Sequence, residues 1–108
     1  MIPVCEPVVS PEDRAAVAAC LAGGWVSSSG PCVERFERAW AAMCGMEEGV
    51  AVANGTAALF IAARLLGLRP GDEVIMPAFT IVSCALAVTA AGGVPVLVDS
   101  DPRTWQMD

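Results

Sequence analysis

The chain has 108 residues, 56% of them hydrophobic and 17% charged, which allows one domain at most and leaves less polar cover than a self-contained soluble domain needs. Some of its apolar surface is therefore expected to meet a partner. Its formal charge of −6, with six arginines and neither lysine nor histidine, excludes a basic stripe for nucleic acid.

The start, Met1-Ile2-Pro3-Val4-Cys5-Glu6, has no basic n-region and no continuous apolar core, so no signal peptide is expected. Ser10-Pro11-Glu12-Asp13 reads as a helix start, with Ser10 as N-cap, Pro11 in the first position and acidic residues in the first turn. That helix runs through Val17 and Leu21 to Gly23-Gly24. The loop Trp25-Val26-Ser27-Ser28-Ser29-Gly30 follows, whose polar residues can bond locally or to a ligand. Trp25 is either a sugar or nucleotide contact or a side chain tucked under its own loop.

Pro31 opens a second helix, in which Val33, Phe36, Trp40 and Met43 recur at helical spacing and are expected in the core. Glu34 and Arg38, four apart on the opposite face, are expected to support the helix as an exposed pair. After Gly45 the apolar run Val50-Ala51-Val52-Ala53 reads as a first strand. Asn54-Gly55-Thr56-Ala57-Ala58-Leu59 then turns sharply into a helix over 57–66, ended by Gly67. The first N–H groups of a helix lack intrahelical partners and carry the positive end of its dipole, so a Gly-Thr opening can receive a phosphate. The same residues also serve as a plain capping turn, and both readings stand at this point.

Arg69-Pro70-Gly71-Asp72 is a turn, Glu73-Val74-Ile75-Met76 a buried strand closed by Pro77, 80–91 a helix before Gly92-Gly93, and Val94-Pro95-Val96-Leu97-Val98 a third strand. Residues 74–98 carry no charge, but Pro77, Gly92-Gly93 and Pro95 interrupt them where element boundaries fall, which argues against a membrane span. The five cysteines are widely spaced without a C-x-x-C pair, so no metal site is expected and reduced thiols in a cytoplasm fit best. The order helix, helix, strand, helix, strand, helix, strand predicts an α/β fold with three strands in one parallel sheet. Ligands of such sheets bind beyond the carboxyl ends of the strands, here Asn54-Gly55-Thr56, Pro77 to Thr80, and Asp99.

In those pieces the chain resembles the nucleotide-sugar aminotransferases of the DegT/StrS type, which have the fold type I architecture and use pyridoxal 5'-phosphate (PLP). The resemblance is carried by Gly24-Trp25-Val26-Ser27-Ser28-Ser29-Gly30 with Phe36-Glu37, by Asn54 to Leu59, by Pro70-Gly71-Asp72 through Thr80, and by Gly93 to Asp99 with Asp101-Pro102. It implies a three-layer sandwich with a mostly parallel sheet. It also implies that Gly55, Thr56 and Ala57 hold the PLP phosphate through main-chain N–H groups and the Thr hydroxyl. Ile81 stands where many relatives place an aromatic residue on the pyridine ring, with the loss of a stacking contribution of about 1 kcal/mol. Trp25, Ser27 and Ser28 are implied at the nucleotide-sugar end of the site, Phe79 is expected in the core, and Asp99 is expected in a turn or cap.

Such an enzyme needs a Schiff-base Lys and a carboxylate at the pyridine nitrogen, and this chain has no lysine. The resemblance therefore implies that residues 1–108 are the N-terminal part of a PLP-binding large domain, inactive alone, with a homodimer formed by the full-length protein. The implied reaction transfers an amino group from glutamate to a keto sugar carried on a nucleotide, and the Trp-x-Ser-Ser and Phe-Thr-Ile pieces are similar to the perosamine-synthase-like branch. The alternatives are a PLP-dependent sugar dehydratase or regulatory relative, and a non-catalytic phosphate-binding module.

Overall fold

The computed structural model describes residues 2–108, which divide after residue 51 into two compact units. In the first, α1 (Pro11–Ala22) begins at the expected cap. Ser10 Oγ accepts the Asp13 N–H at 3.1 Å, and the Asp13 carboxylate accepts the Ser10 N–H at 2.8 Å, satisfying two otherwise unpaired donors reciprocally. The loop that follows α1 leads to α2 (Pro31–Met43). Gly30, with φ +131°, is held where a Cβ would fall 2.7 Å from the Trp25 ring, so the indole lies against Gly30 while remaining 53% exposed.

Beyond α2 the chain folds back onto the helix. The Glu37 carboxylate accepts the Ala51 N–H at 2.7 Å, and a Cβ on Gly49 would meet the Glu37 carbonyl oxygen at 2.8 Å. Two expectations fail here. The α2 stripe is not core: Phe36 and Trp40 stack on each other with centroids 6.0 Å apart, yet they and Met43 stay exposed, and only Ala41 of the helix is buried. An apolar face becomes core only when another element is laid against it. Nor do Glu34 and Arg38 pair, since the single ion pair among the described residues is Arg103–Asp101, at 3.5 Å.

The second unit contains α3 (Gly55–Leu65), β1 (Glu73–Pro77), α4 (Val82–Ala90) and β2 (Val94–Val98). β1 and β2 pair in parallel with Ile75 opposite Val96, and α4 packs on both strands and on α3. Ala63, Met76, Ala87 and Val88 form the buried core of this unit, with alanines allowing the two helices to approach. The sheet has two strands among the described residues, not three. Residues 50–53 form no strand because a strand exists only where a second backbone completes its ladder, and the Ala51 N–H is committed to Glu37 instead.

Both prolines of the sheet sit where they cost no ladder bond. The Val94 N–H bonds to the Asp72 carbonyl and the Ala78 N–H to the Val98 carbonyl, so even-numbered residues of both strands face each other across the ladder. By alternation Pro77 and Pro95 point their missing donors away from it, as sheet prolines must.

Two boundaries differ from expectation. The helix after the Asn54 turn begins at Gly55, and the next begins at Val82 because Thr80 and Ile81 remain outside it, Ile81 serving as an extended N-cap. Phe79 is not core: it is 66% exposed and meets Trp105 with ring centroids 5.0 Å apart. Past β2, the Ser100 N–H bonds to the Asp99 carboxylate, and Asp101 Oδ1 accepts the N–H groups of Arg103 and Thr104, so both acids act in turns. No helix among the described residues is long and apolar enough to cross a membrane.

Candidate functional site

The N-terminus of α3 is organised by Asn54, whose Oδ1 accepts the Ala57 N–H at 2.9 Å while its carbonyl accepts that of Ala58 at 3.2 Å. This leaves the N–H groups of Gly55 and Thr56 without a protein acceptor among the described residues. Both residues line a cavity of about 560 Å³ together with Ala58, Leu59, Ala62, Ile81 and Ser83, a volume within the roughly 300–1,000 Å³ of small-molecule pockets. Ile81 and Ser83 enter it because α4 packs against α3. Thr56 Oγ1 and Ser83 Oγ lie 3.0 Å apart.

The wall has a polar end and an apolar side. Two unpaired N–H groups at a helix N-terminus and two hydroxyls make a donor set for a phosphate. Leu59, Ala62 and Ile81 offer a surface for a flat or apolar body. A Cβ on Gly55 would meet no protein atom within 4 Å, and its φ is not in the left-handed region. The missing side chain at Gly55 is therefore needed neither by the backbone nor by packing within the chain, and its place is open space. No charged side chain lines the cavity, so its polar character comes from the helix end and the hydroxyls.

Of the residues singled out in the sequence, Gly55, Thr56 and Ile81 are thus brought to one cavity. Ala57 is adjacent, but its N–H belongs to the Asn54 cap and it does not line the cavity. Trp25, Ser27 and Ser28 belong to the first unit, where Ser27 Oγ accepts the Ser29 N–H at 3.4 Å. Ser83 went unnoticed in the sequence. Its signal was its place three residues after Thr80, inside the first turn of the helix that follows a strand end. A further cavity of about 280 Å³ is lined by Glu34, Glu37, Arg38, Glu47, Glu48 and Gly49, and four carboxylates against one guanidinium disfavour an anion there.

The profile of the DegT/DnrJ/EryC1/StrS aminotransferase family matches residues 7–108. The chain belongs to that family. Its similarity to other DegT/DnrJ/EryC1/StrS proteins includes the GDP-perosamine synthase of Caulobacter vibrioides, 43% identical over 99% of this chain and 29% of that protein. A dTDP-4-dehydro-2,3,6-trideoxy-D-glucose 4-aminotransferase of Saccharopolyspora spinosa is 38% identical over 96% of this chain and 27% of its own. Among solved structures, a putative sugar aminotransferase from Streptococcus pneumoniae in its PLP form superposes with a TM-score of 0.87 at 34% identity, covering 99% of this chain and 27% of that one. The α/β reading and the family resemblance both hold. The chain spans under a third of the length of these DegT/DnrJ/EryC1/StrS relatives.

Proposed function

We propose that the Gly55-Thr56 end of α3 anchors the phosphate of pyridoxal 5'-phosphate, and that the protein carrying this chain transfers an amino group to a keto sugar borne on a nucleotide. The observation that carries the reading is the joining of two unpaired N–H groups, two hydroxyls and Ile81 in one cavity, in a chain of an aminotransferase family. The donor set fits the group. When bound, the cofactor would supply an electron sink for amino transfer.

The residues of this chain bind and orient. Gly55 and Thr56 donate their N–H groups to the phosphate, each charge-assisted bond contributing about 1.5–3 kcal/mol, and the helix end adds about 0.5–1 kcal/mol. Thr56 Oγ1 donates as well, with Ser83 Oγ as its neighbour at 3.0 Å. Ala57 fixes the Asn54 cap that holds the turn open. Ile81 packs on the ring face, and Trp25, Ser27 and Ser28 recognise the nucleotide sugar. No residue of this chain supplies the amine of a catalytic lysine, so proton transfer belongs to the remainder of the protein, and glutamate is the proposed donor. A second copy is the proposed partner, covering exposed apolar residues such as Phe36 and Trp40.

The test is made on the full-length protein. With PLP, glutamate and a panel of nucleotide-linked keto sugars, 2-oxoglutarate is expected to form in step with an aminated sugar. PLP retention without 2-oxoglutarate on any sugar of the panel would reject the transaminase reading while keeping the phosphate site; no PLP retention would reject both.

A further inference from the structure

Two cysteines bracket the Trp25 loop. Cys20 lies in the last turn of α1, Cys32 is the second residue of α2, and their sulfurs are 2.6 Å apart. That is well inside a non-bonded sulfur contact and only about 0.6 Å beyond the length of an S–S bond. The Trp25 N–H bonds to the Cys20 carbonyl at 3.1 Å, closing the end of α1, and the Glu34 N–H bonds to the Gly30 carbonyl at 3.2 Å, opening α2, so each cysteine sits on a hydrogen-bonded helix end. Both side chains are half-buried, whereas Cys5 and Cys44 are exposed, and Cys84 lies beside the Thr80 hydroxyl.

We propose that Cys20 and Cys32 are a dithiol modification site, oxidised to an intramolecular disulfide by a small-molecule disulfide of the glutathione class, and that the bond fixes the loop carrying Trp25, Ser27 and Ser28. In the first exchange one cysteine thiolate attacks a sulfur of oxidised glutathione. A protein–glutathione mixed disulfide forms and one glutathione thiolate leaves. The second cysteine thiolate then attacks the protein sulfur of that mixed disulfide and expels the other glutathione. The protein gives up two protons and two electrons, and glutathione disulfide is reduced to two thiols. The Cys20 thiol is pushed above its ordinary value, first by the hydrogen bond it shares with Cys32 and then by burial. The disulfide closes a ring whose ends are 12 residues apart around a segment that α1 and α2 already hold at both ends.

Arginines at 14 and 35, with no lysine between, place both cysteines on one tryptic peptide, residues 15–35. The full-length protein is equilibrated in glutathione buffers from reducing to oxidising, acid-quenched, alkylated and digested. In reducing buffer the peptide is expected with two alkyl groups; in oxidising buffer, with none and lighter by two hydrogens. Chymotryptic cleavage after Trp25 is expected to slow several-fold on oxidation. In Cys20→Ser the same buffer should leave a glutathione adduct on Cys32. Two glutathione adducts on the wild-type peptide, full alkylation in oxidising buffer, or a link to another cysteine would each overturn the proposal. An internal disulfide with unchanged cleavage after Trp25 would overturn its effect on the loop.

Discussion

Gly55→Ala is expected to move stability and cofactor affinity in opposite directions. Gly55 opens α3, its φ lies outside the left-handed region, and a Cβ there touches nothing of the protein. Alanine in a helix is favoured over glycine by up to about 1 kcal/mol through the lower entropy of the unfolded chain, so the cofactor-free protein should unfold at equal or higher denaturant. The same methyl adds bulk to the wall of the cavity that Gly55 and Thr56 line, beside N–H groups that have no protein acceptor among the described residues. Losing one such charge-assisted bond costs about 1.5–3 kcal/mol, which weakens PLP binding about 10- to 100-fold at about 1.4 kcal/mol per tenfold. Urea unfolding of the cofactor-free full-length protein reads the first quantity, and titration with PLP followed by absorbance reads the second. An unchanged dissociation constant in a folded variant would refute the phosphate site at Gly55 and Thr56. A loss of stability would instead make Gly55 a structural requirement that the open space around it does not explain.

Ser83→Ala removes the partner of Thr56 Oγ1 at 3.0 Å and should weaken PLP binding about 2- to 10-fold, the worth of about 0.5–1.5 kcal/mol; the same titration decides, and no change would free Thr56 of its neighbour. Ile81→Phe should tighten PLP binding about 2- to 10-fold by adding a stacking contribution of about 0.5–1.5 kcal/mol, with weaker binding counting against a ring-face role. Gly49→Ala sets a Cβ 2.8 Å from the Glu37 carbonyl oxygen and should destabilise by about 1–3 kcal/mol, seen as a lower denaturant midpoint at an unchanged slope. The Asp101 carboxylate is held below its ordinary value, first by the Arg103 N–H and then by that of Thr104. Its folded pKa is therefore lower than its unfolded one. The turn's stabilisation is present above the ordinary aspartate value of about 3.9 and is lost as pH falls through the depressed value. A pH titration of the Asp101 carboxyl carbon by NMR should place its midpoint below 3.9 by that argument, and a midpoint at or above it would remove the carboxylate from the turn.

What the sequence made legible was local. The Ser10 cap with its acidic first turn and the helix start at the Asn54-Gly55-Thr56 turn with its unpaired donors were readable because each depends on residues a few positions apart. What it misplaced depended on a second surface. Val50 to Ala53 has strand composition, but no backbone among the described residues pairs with it, and the Ala51 N–H goes to Glu37, a contact over fourteen positions that no periodicity announces. The α2 stripe and Phe79 have the composition of core and stay exposed for the same reason. Ser83 reaches the site only through the packing of α4 on α3, which is why its place three residues after Thr80, in the first turn of α4, was its sole trace. Cys20 and Cys32 looked like two of five scattered thiols until the turn between α1 and α2 joined them.

The outward-facing prolines determine how this two-stranded sheet can be extended. A strand arriving beside β2 would find one N–H within it, that of Leu97, and one arriving beside β1 would find those of Glu73 and Ile75 but none at Pro77. Backbone complementarity at either edge is thus gapped, and two copies meeting edge to edge would oppose gap to gap or gap to unanswered carbonyl. Random strand addition, the first step of fibril growth, gains little there. A neighbour with the right side chains still gains the packing of Ile75 and Leu97, both exposed. The sheet selects its neighbours by shape and burial and is poorly matched to any strand that offers only its backbone.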